Sequence, residues 1–129
     1  TDGARAYGGT QDNGSQRWRG NQMWTEFISG DGGQTVIDPV DPSIVYSTYV
    51  RRTIWRWRNN TDTYDGLIGS DAIFNNDPVA FYPPFVGNGV DSKLYFGTNR
   101  LYTSTSRGAS WTPPAGATTL GNNASDVLT

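Results

Sequence analysis

The chain has 129 residues, a formal net charge of −2, 16 glycines, 7 prolines and 13% aromatic residues. It contains no cysteine and no histidine, which excludes disulfide frameworks, thiolate metal sites and histidine-based catalysis. The slightly acidic charge gives no general attraction to nucleic acids or anionic membranes, and no apolar run approaches the ~18 residues of a membrane-spanning helix. Because strong helix formers are scarce and strand and turn formers abound, the composition predicts an all-β fold.

Three similar segments follow one another along the chain. Each consists of a strand centred on a tyrosine, a short turn and a second strand, and the three tyrosines are Tyr7, Tyr46 and Tyr95. Their separations of 39 and 49 residues bracket the ~40–50-residue period of four-stranded β-propeller blades. A β-sandwich is the alternative, but its turns recur every ~8–12 residues. The spacing therefore favours blades.

Additional strands complete these segments. The second and third tyrosine strands are preceded by QTVIDPVDP and DPVAFYPPFVGNGVDS, in which Pro and Asp end a strand and turn the chain. The Asn13-Gly14 pair predicts a tight hairpin turn with positive φ in the first segment. Outer strands are predicted in QMWTEFIS, TYDGLIGS and SWTPPAG. The predicted blades, each a four-stranded antiparallel sheet when complete, span residues 4–29 (strands 2 to 4), 33–70 and 77–116, and the next blade starts in 122–129.

The segment STSRGASW, residues 104–111, follows the last strand pair. Ser104, Gly108 and Trp111 match the Ser-x-Asp-x-Gly-x-x-Trp turn called the Asp-box, and Ser106 takes the place of its aspartate. In such a turn the aspartate accepts backbone N–H bonds, which a serine does more weakly, while the glycine permits an unusual backbone conformation and the aromatic ring fills a gap between sheets.

The same region and two earlier stretches, GGTQDNGS and SGDGGQTVIDPVDPSIVY, carry a resemblance to a known family. The chain resembles the Asp-box (BNR-like) β-propeller superfamily, which includes sialidases, sortilin-type receptors and xyloglucanases. The resemblance implies propeller blades and an extracellular or cell-surface location.

About three blades do not close a propeller, because the ring needs roughly 4 to 8. The chain begins at strand 2 of one predicted blade, with ARAYGGT, and ends in NNASDVLT, which is interpreted as strand 1 of another. Strands 2 to 4 of the first segment and this last strand would together make one four-stranded blade. We therefore expect other blades as partners, either from the same longer chain or from a second copy that pairs head to tail.

Asp31 is the candidate residue for catalysis. It lies in the Gly-rich segment (SGDGG, residues 29–33), just before a predicted inner strand. The resemblance implies a role here, because xyloglucanase-type hydrolases keep a catalytic aspartate in a similar segment. Glycoside hydrolysis needs a second carboxylate ~5–9 Å away, for which Asp12 and Asp77 qualify by residue type alone. Alternatively, Asp31 stabilises its own turn through backbone hydrogen bonds.

Aromatic and arginine residues alternate in RRTIWRWR, residues 51–58. Trp55 and Trp57 fall on one face of the predicted strand and Arg56 on the other. Together with Asp31 they are candidate binding residues, since such a set can stack on sugars or bind an acidic partner. The alternative is structural: the tryptophans fill the space between neighbouring blades, and the arginine stem covers apolar surface.

Two further sets of residues are candidates for modification or metal binding. Asn13, Asn59 and Asn123 each begin an N-x-[ST] sequon and are glycosylation candidates. The acidic pairs in DPVDP and TDTYD lack the full spacing of a calcium loop. We interpret them as turn residues and expect neither a metal nor another cofactor.

The sequence therefore predicts part of a secreted β-propeller that acts as a binding or assembly module for a carbohydrate or protein ligand. The alternatives are a fragment of a xyloglucanase-like glycoside hydrolase and a structural subunit of an extracellular layer or fibre. Binding is favoured over catalysis, and neither a nucleic acid nor a membrane is expected as a partner.

Overall fold

The computed structural model describes residues 5–113, 119–120, 126–127 and 129. Ten strands and no helix occur in these residues. In chain order the strands are β1 (Ala6–Thr10), β2 (Gly14–Trp18), β3 (Trp24–Ile28), β4 (Thr35–Ile37), β5 (Ile44–Thr48), β6 (Ile54–Arg58), β7 (Thr63–Gly69), β8 (Phe85–Gly87), β9 (Leu94–Gly97) and β10 (Leu101–Ser104).

The strands form three antiparallel sheets, each made of strands that follow one another in the chain. The first sheet has the order β1-β2-β3, the second β4-β5-β6-β7 and the third β8-β9-β10. Within the described residues no sheet closes into a barrel. The all-β prediction is therefore confirmed at the level of three separate sheets with three or four strands each, whereas a propeller arrangement stays a prediction.

Each predicted blade segment contains one of these sheets. The second sheet has all four expected strands, including β7, and the first has the three expected of residues 4–29. In the third, the described part of the predicted outer strand contributes only an isolated bridge between Thr103 and Thr112. Most of the predicted start of a further blade, at 122–129, lies outside the described residues.

The tyrosine spacing corresponds to a repeat in strand pairing. Tyr7 on β1 lies opposite Arg17, and Tyr46 on β5 lies opposite Arg56. Both residues of the pair thus recur after 39 positions in the same register. Tyr95 occupies the same place on β9, where its partner on β10 is a threonine.

The hairpin turn between β1 and β2 differs from the prediction at Asn13. Positive φ occurs at Asp12 (65°) and Gly14 (73°), but not at Asn13. Three residues separate Thr10 from its partner Gly14, so this loop is longer than the two-residue turn that an Asn-Gly pair usually forms. An aspartate tolerates the left-handed conformation better than most residues.

The second sheet lies between the other two. On one face, the Trp57 ring packs edge-on against Phe27 of β3, with ring centroids 5.7 Å apart. On the other, Tyr46 packs against Phe85 of β8 at 6.4 Å. The main buried cluster lies on this second side and consists of Ile44, Tyr46, Ile54, Ile68, Phe74, Phe85, Leu94, Phe96 and Tyr102.

The turns that join β4 to β5 and β8 to β9 repeat the same hydrogen bonding. Asp38 Oδ1 accepts the backbone N–H groups two and three residues later, both at 2.9 Å. Asn88 Oδ1 does the same at 3.0 and 2.9 Å. This pattern is an Asx-type turn, which agrees with the interpretation of DPVDP as a turn.

Asp38 also connects the second and third sheets. Its side chain is fully buried, and Oδ2 accepts hydrogen bonds from the Tyr46 hydroxyl at 2.9 Å and from Arg107 Nε at 3.0 Å. The Ser92 hydroxyl donates to Oδ1 at 2.9 Å. Because Ser92 and Arg107 flank strands of the third sheet, this carboxylate holds the two sheets together.

Candidate functional site

The Gly-rich segment packs against the β1–β2 turn. The Gly32 N–H donates to the Thr10 carbonyl at 3.0 Å, and the Gly33 N–H donates to the Thr48 carbonyl at 2.9 Å. The segment thus bridges the first and second sheets. A Cβ atom on Gly32 would come within 2.3 Å of the Gly14 carbonyl oxygen, so a glycine is required there for the backbones to approach this closely.

Asp31 is held by this same turn. Its Oδ1 accepts the backbone N–H of Asp12 at 3.0 Å, so this hydrogen bond joins Asp31 to the β1–β2 turn and not to its own Gly-rich turn. Within the described part of the chain, no hydrogen bond or ion pair involves its second oxygen. The contact also brings the side chain of Asp31 beside residue 12, one of the two predicted carboxylate partners.

Asp77, the other predicted partner, lies elsewhere. It is 5% exposed, accepts the Tyr102 hydroxyl at 2.7 Å and forms an ion pair with Arg100 at 3.1 Å. These contacts belong to the third sheet and its core. Asp77 is therefore a structural residue, and of the two candidates only Asp12 shares a site with Asp31.

A shallow depression of about 340 Å³ lies next to the Gly-rich segment. Its floor is glycine backbone, and its polar and aromatic side chains come from the β1–β2 turn, from the residue before β4 and from the connection between β7 and β8. The depression thus lies where the first sheet, the second sheet and the connection to the third sheet meet. The lining residues are Gly9, Gln11, Gly32, Gly33, Gln34 and Tyr82.

Tyr82 connects this depression to the two carboxylates. Its hydroxyl oxygen is buried and has no hydrogen-bond partner in the described residues. Burial of the hydroxyl raises the pKa of Tyr82, and the negative charges of Asp31 and Asp12 raise this pKa further. Tyr82 therefore stays neutral, and the site combines an uncharged aromatic ring with two carboxylates.

The predicted aromatic and arginine set on β6 lies away from this depression. Trp57 is half-buried against Phe27, and Trp55 packs edge-on against Tyr64 at 5.1 Å. Arg56 is on the opposite face, where its Nε binds Asp65 Oδ2 at 2.7 Å. These contacts agree with the structural interpretation of this strand, and a ligand-binding role of the set stays a prediction.

The turn at residues 104–111 is held by its own side chains. Ser104 Oγ accepts the Gly108 N–H at 2.9 Å, and Ser106 Oγ accepts the Ser110 N–H at 2.9 Å. Ser106 thus performs the backbone capping expected of the missing aspartate. Capping of this kind also occurs in other serine-containing turns, so membership of the Asp-box superfamily stays a prediction.

Trp111 anchors this turn to the core. Its Nε1 donates to the Ile68 carbonyl at 2.6 Å, and its ring packs edge-on against Phe74 at 5.3 Å. The ring also contacts Phe96 at 6.4 Å. Trp111 therefore fills a gap between β7 of the second sheet and the core of the third.

Two of the three sequons lie in the described residues. Asn13 is exposed in the β1–β2 turn, whereas Asn59 is only 6% exposed and its Oδ1 accepts Arg19 Nη2 at 3.3 Å. The burial of Asn59 favours Asn13 as the more accessible of the two, and glycosylation at either residue stays a prediction. Asn123 lies outside the described residues.

A metal site would need several clustered ligands. No group of three or more acidic, histidine or cysteine residues occurs within the described ranges. These ranges also contain no helix that is long and apolar enough to cross a membrane.

Comparison with known proteins gives no family for this chain. No protein-family model matches it, and no curated protein is significantly similar to it.

The sequence indicated Asp31 and its Gly-rich segment but missed the residues around it. Tyr82 lies in AFYPPF, between two predicted strands, where nothing in the local pattern marks a site. Gln11 and Gln34 lie next to recognisable turns, yet their positions around one depression depend on how the three sheets pack. A local pattern carries no signal for such packing.

Proposed function

We propose that the chain is part of an extracellular Asp-box-type β-propeller and acts as a binding module, with the depression beside Asp31 as its ligand site. The resemblance in the Asp-box-like turn and in the Gly-rich segment supports the family and the location. The observation that carries the site is the hydrogen bond from the Asp12 N–H to Asp31, because it joins the Gly-rich segment to the β1–β2 turn, and residues of both line the depression.

The chemistry of this depression suits a carbohydrate. Carboxylates and side-chain amides form directional hydrogen bonds with sugar hydroxyls. Gln11 and Gln34 line the depression with amides, and Asp31 supplies a carboxylate next in sequence to the lining residue Gly32. The glycine backbone lets a flat ligand approach closely. The Tyr82 ring supplies an apolar surface beside the polar groups, and this combination is usual in small-molecule sites.

The test is calorimetric titration of the chain with neutral oligosaccharides, including xyloglucan fragments. We expect Asp31→Asn to weaken binding about tenfold, because a hydrogen bond to a charged group contributes about 1.5–3 kcal/mol. The asparagine keeps an Oδ1 acceptor for the Asp12 N–H, so the fold is retained. Asp91→Asn, in an exposed turn of the third sheet, is the matched control and leaves affinity unchanged.

Tyr82 gives a second test of the same site. Tyr82→Ser removes the ring and weakens binding, whereas Tyr82→Phe keeps the ring and binds as the unmodified chain does. Equal dissociation constants in all four variants, or no binding of any oligosaccharide, would exclude this site.

Glycoside hydrolysis is the alternative function, and it is supported by the resemblance of the Gly-rich segment around Asp31 to that of xyloglucanase-type hydrolases. The same titrations distinguish it when reducing ends are measured in parallel. Loss of polysaccharide cleavage in Asp31→Asn, with oligosaccharide binding retained, would support a hydrolase and count against a pure binding module.

A further inference from the structure

The outer face of the third sheet is apolar and open. Val86 is 54% exposed and Leu101 is 37% exposed, and Tyr95 between them is half-buried. Side chains alternate along a strand, so these residues point away from the second sheet, whereas Phe85 and Phe96 point into the core. The apolar residues on this face therefore have no sheet packed over them within the described chain.

The equivalent face of the second sheet is covered. Val36 lies opposite Tyr46, just as Val86 lies opposite Tyr95. Tyr46 is fully buried and packs against Phe85 of the next sheet. The pair in the second sheet is thus covered by the next sheet, whereas no sheet of the described residues covers the equivalent pair in the third.

The first sheet carries the complementary open face. Trp24 is 56% exposed and lies opposite Trp18. The equivalent pair in the second sheet is Tyr64 opposite Trp57, and Trp57 packs against Phe27 of the preceding sheet. Tyr64 stays 51% exposed in the packed second sheet, so the equivalence rests on Trp18, which has the position of the packed Trp57, with Trp24 beside it on the same face.

From these equivalences we infer that a second copy of this chain packs its first sheet, through Trp18 and Trp24, on the outer face of the third sheet at Val86, Tyr95 and Leu101. This contact repeats the arrangement that already joins consecutive sheets within one chain. It is a heterologous, head-to-tail contact, because different faces of the two copies meet. The inference rests on the repeat alone and is independent of the ligand site at Asp31.

The experiment measures the mass of the 129-residue chain by sedimentation equilibrium at increasing concentration. We expect the average mass to rise above the 14.1 kDa of one chain. Leu101→Asp places a charge on the third-sheet face, and Trp24→Asp places one on the first-sheet face. Each variant alone should self-associate at least tenfold more weakly, since a buried unpaired charge is unfavourable.

Mixing the two variants is the decisive measurement. The Leu101→Asp copy keeps an intact first-sheet face, and the Trp24→Asp copy keeps an intact third-sheet face. An equimolar mixture should therefore form one-to-one dimers and no larger species, because only one functional contact remains. Contact between two identical faces would instead leave one of the single variants fully able to associate, and this result would overturn the inference.

Two controls keep the test independent of folding. Val40→Asp changes a valine that is 60% exposed in the β4–β5 turn, outside both faces, and should associate normally. Val86→Lys repeats the test of the third-sheet face with the opposite charge. Circular dichroism confirms that each variant is folded. A mass of one chain up to about 1 mM, or equal weakening by Val40→Asp, would also overturn the inference.

Discussion

At the scale of single residues, Gly108 is subject to two constraints. Its φ is 81°, and a Cβ atom there would lie 2.4 Å from Ile68 Cδ1. We expect Gly108→Val to reduce the free energy of unfolding by about 3 kcal/mol, because strained backbone and overpacking each cost roughly 1–3 kcal/mol. Ser106→Ala removes only one cap and should cost about 1 kcal/mol. Urea denaturation measures both values.

Gly89 has the backbone constraint of Gly108 but not its tight packing. Its φ is 75°, but a Cβ atom there would have no heavy atom within 4 Å. Gly89→Val therefore reports backbone strain alone and should be less destabilising than Gly108→Val. Equal losses for Gly108→Val and Ser106→Ala would show that the turn at 104–111 does not depend on its glycine.

At the scale of strands and sheets, the first and second sheets meet through a buried hydroxyl pair. Ser15 Oγ and Ser47 Oγ are 2.5 Å apart, and both residues are buried. Replacing either with alanine should cost about 1–3 kcal/mol, because the remaining hydroxyl is left buried without its partner. The double variant should be no less stable than either single one. A double-mutant cycle in urea measures this coupling.

An exposed pair of similar geometry is the control. Thr61 Oγ1 and Thr63 Oγ1 are 2.6 Å apart at the surface, where water can replace either partner. The same cycle on this pair should give additive effects close to zero. Additive effects at Ser15 and Ser47 would mean that water reaches the contact between the sheets.

The strands were predictable from sequence because each sheet pairs neighbours in the chain. The alternation in RRTIWRWR, the Pro and Asp turns and the spacing of the three tyrosines are all signals in the sequence itself. The exception at Asn13 has a local cause, since the loop has three residues and moves the positive φ to Asp12. The contact of Asp38 with Arg107 joins residues 69 positions apart, and no local pattern indicates it.

At the scale of the whole molecule, stability should depend on pH through buried carboxylates and tyrosines. Burial opposes ionisation of Asp38, but hydrogen bonds from two backbone N–H groups and from the Ser92 and Tyr46 hydroxyls hold its pKa below the usual value. Hydrogen bonding to Arg17 lowers the pKa of Asp62. Their stabilisation is present above about pH 4 and is lost as the pH falls through the folded-state pKa values.

At alkaline pH the free energy of unfolding should fall as the pH rises, because two buried tyrosines ionise. Burial, and then hydrogen bonding to a carboxylate, raises the pKa of Tyr46 and of Tyr102. Their stabilisation is complete below about pH 10 and is lost as the pH rises through the folded-state values. We therefore expect a maximum free energy of unfolding between about pH 5 and pH 9, measured by urea denaturation across the pH range.

Asp38→Asn tests whether Asp38 causes the loss of stability at acidic pH. The variant should lose about 2 kcal/mol at neutral pH, because the interaction with Arg107 loses its negative charge. It should then change less with pH below about pH 4. Asp91→Asn, in the equivalent exposed turn, should lose stability at acidic pH as fully as the unmodified chain does. If the two variants have identical pH profiles, groups other than Asp38 cause the loss of stability at acidic pH.

The order of the strands has a consequence for how the chain reaches this structure. Every sheet is built from consecutive strands, so each pairing closes only a short loop and the entropy lost in forming it is small. The second sheet contacts both of its neighbours and has the most strands, whereas each outer sheet contacts one. Folding should therefore start in the second sheet and spread to either side, one sheet at a time, in the way that folding propagates between neighbouring units of repeat proteins.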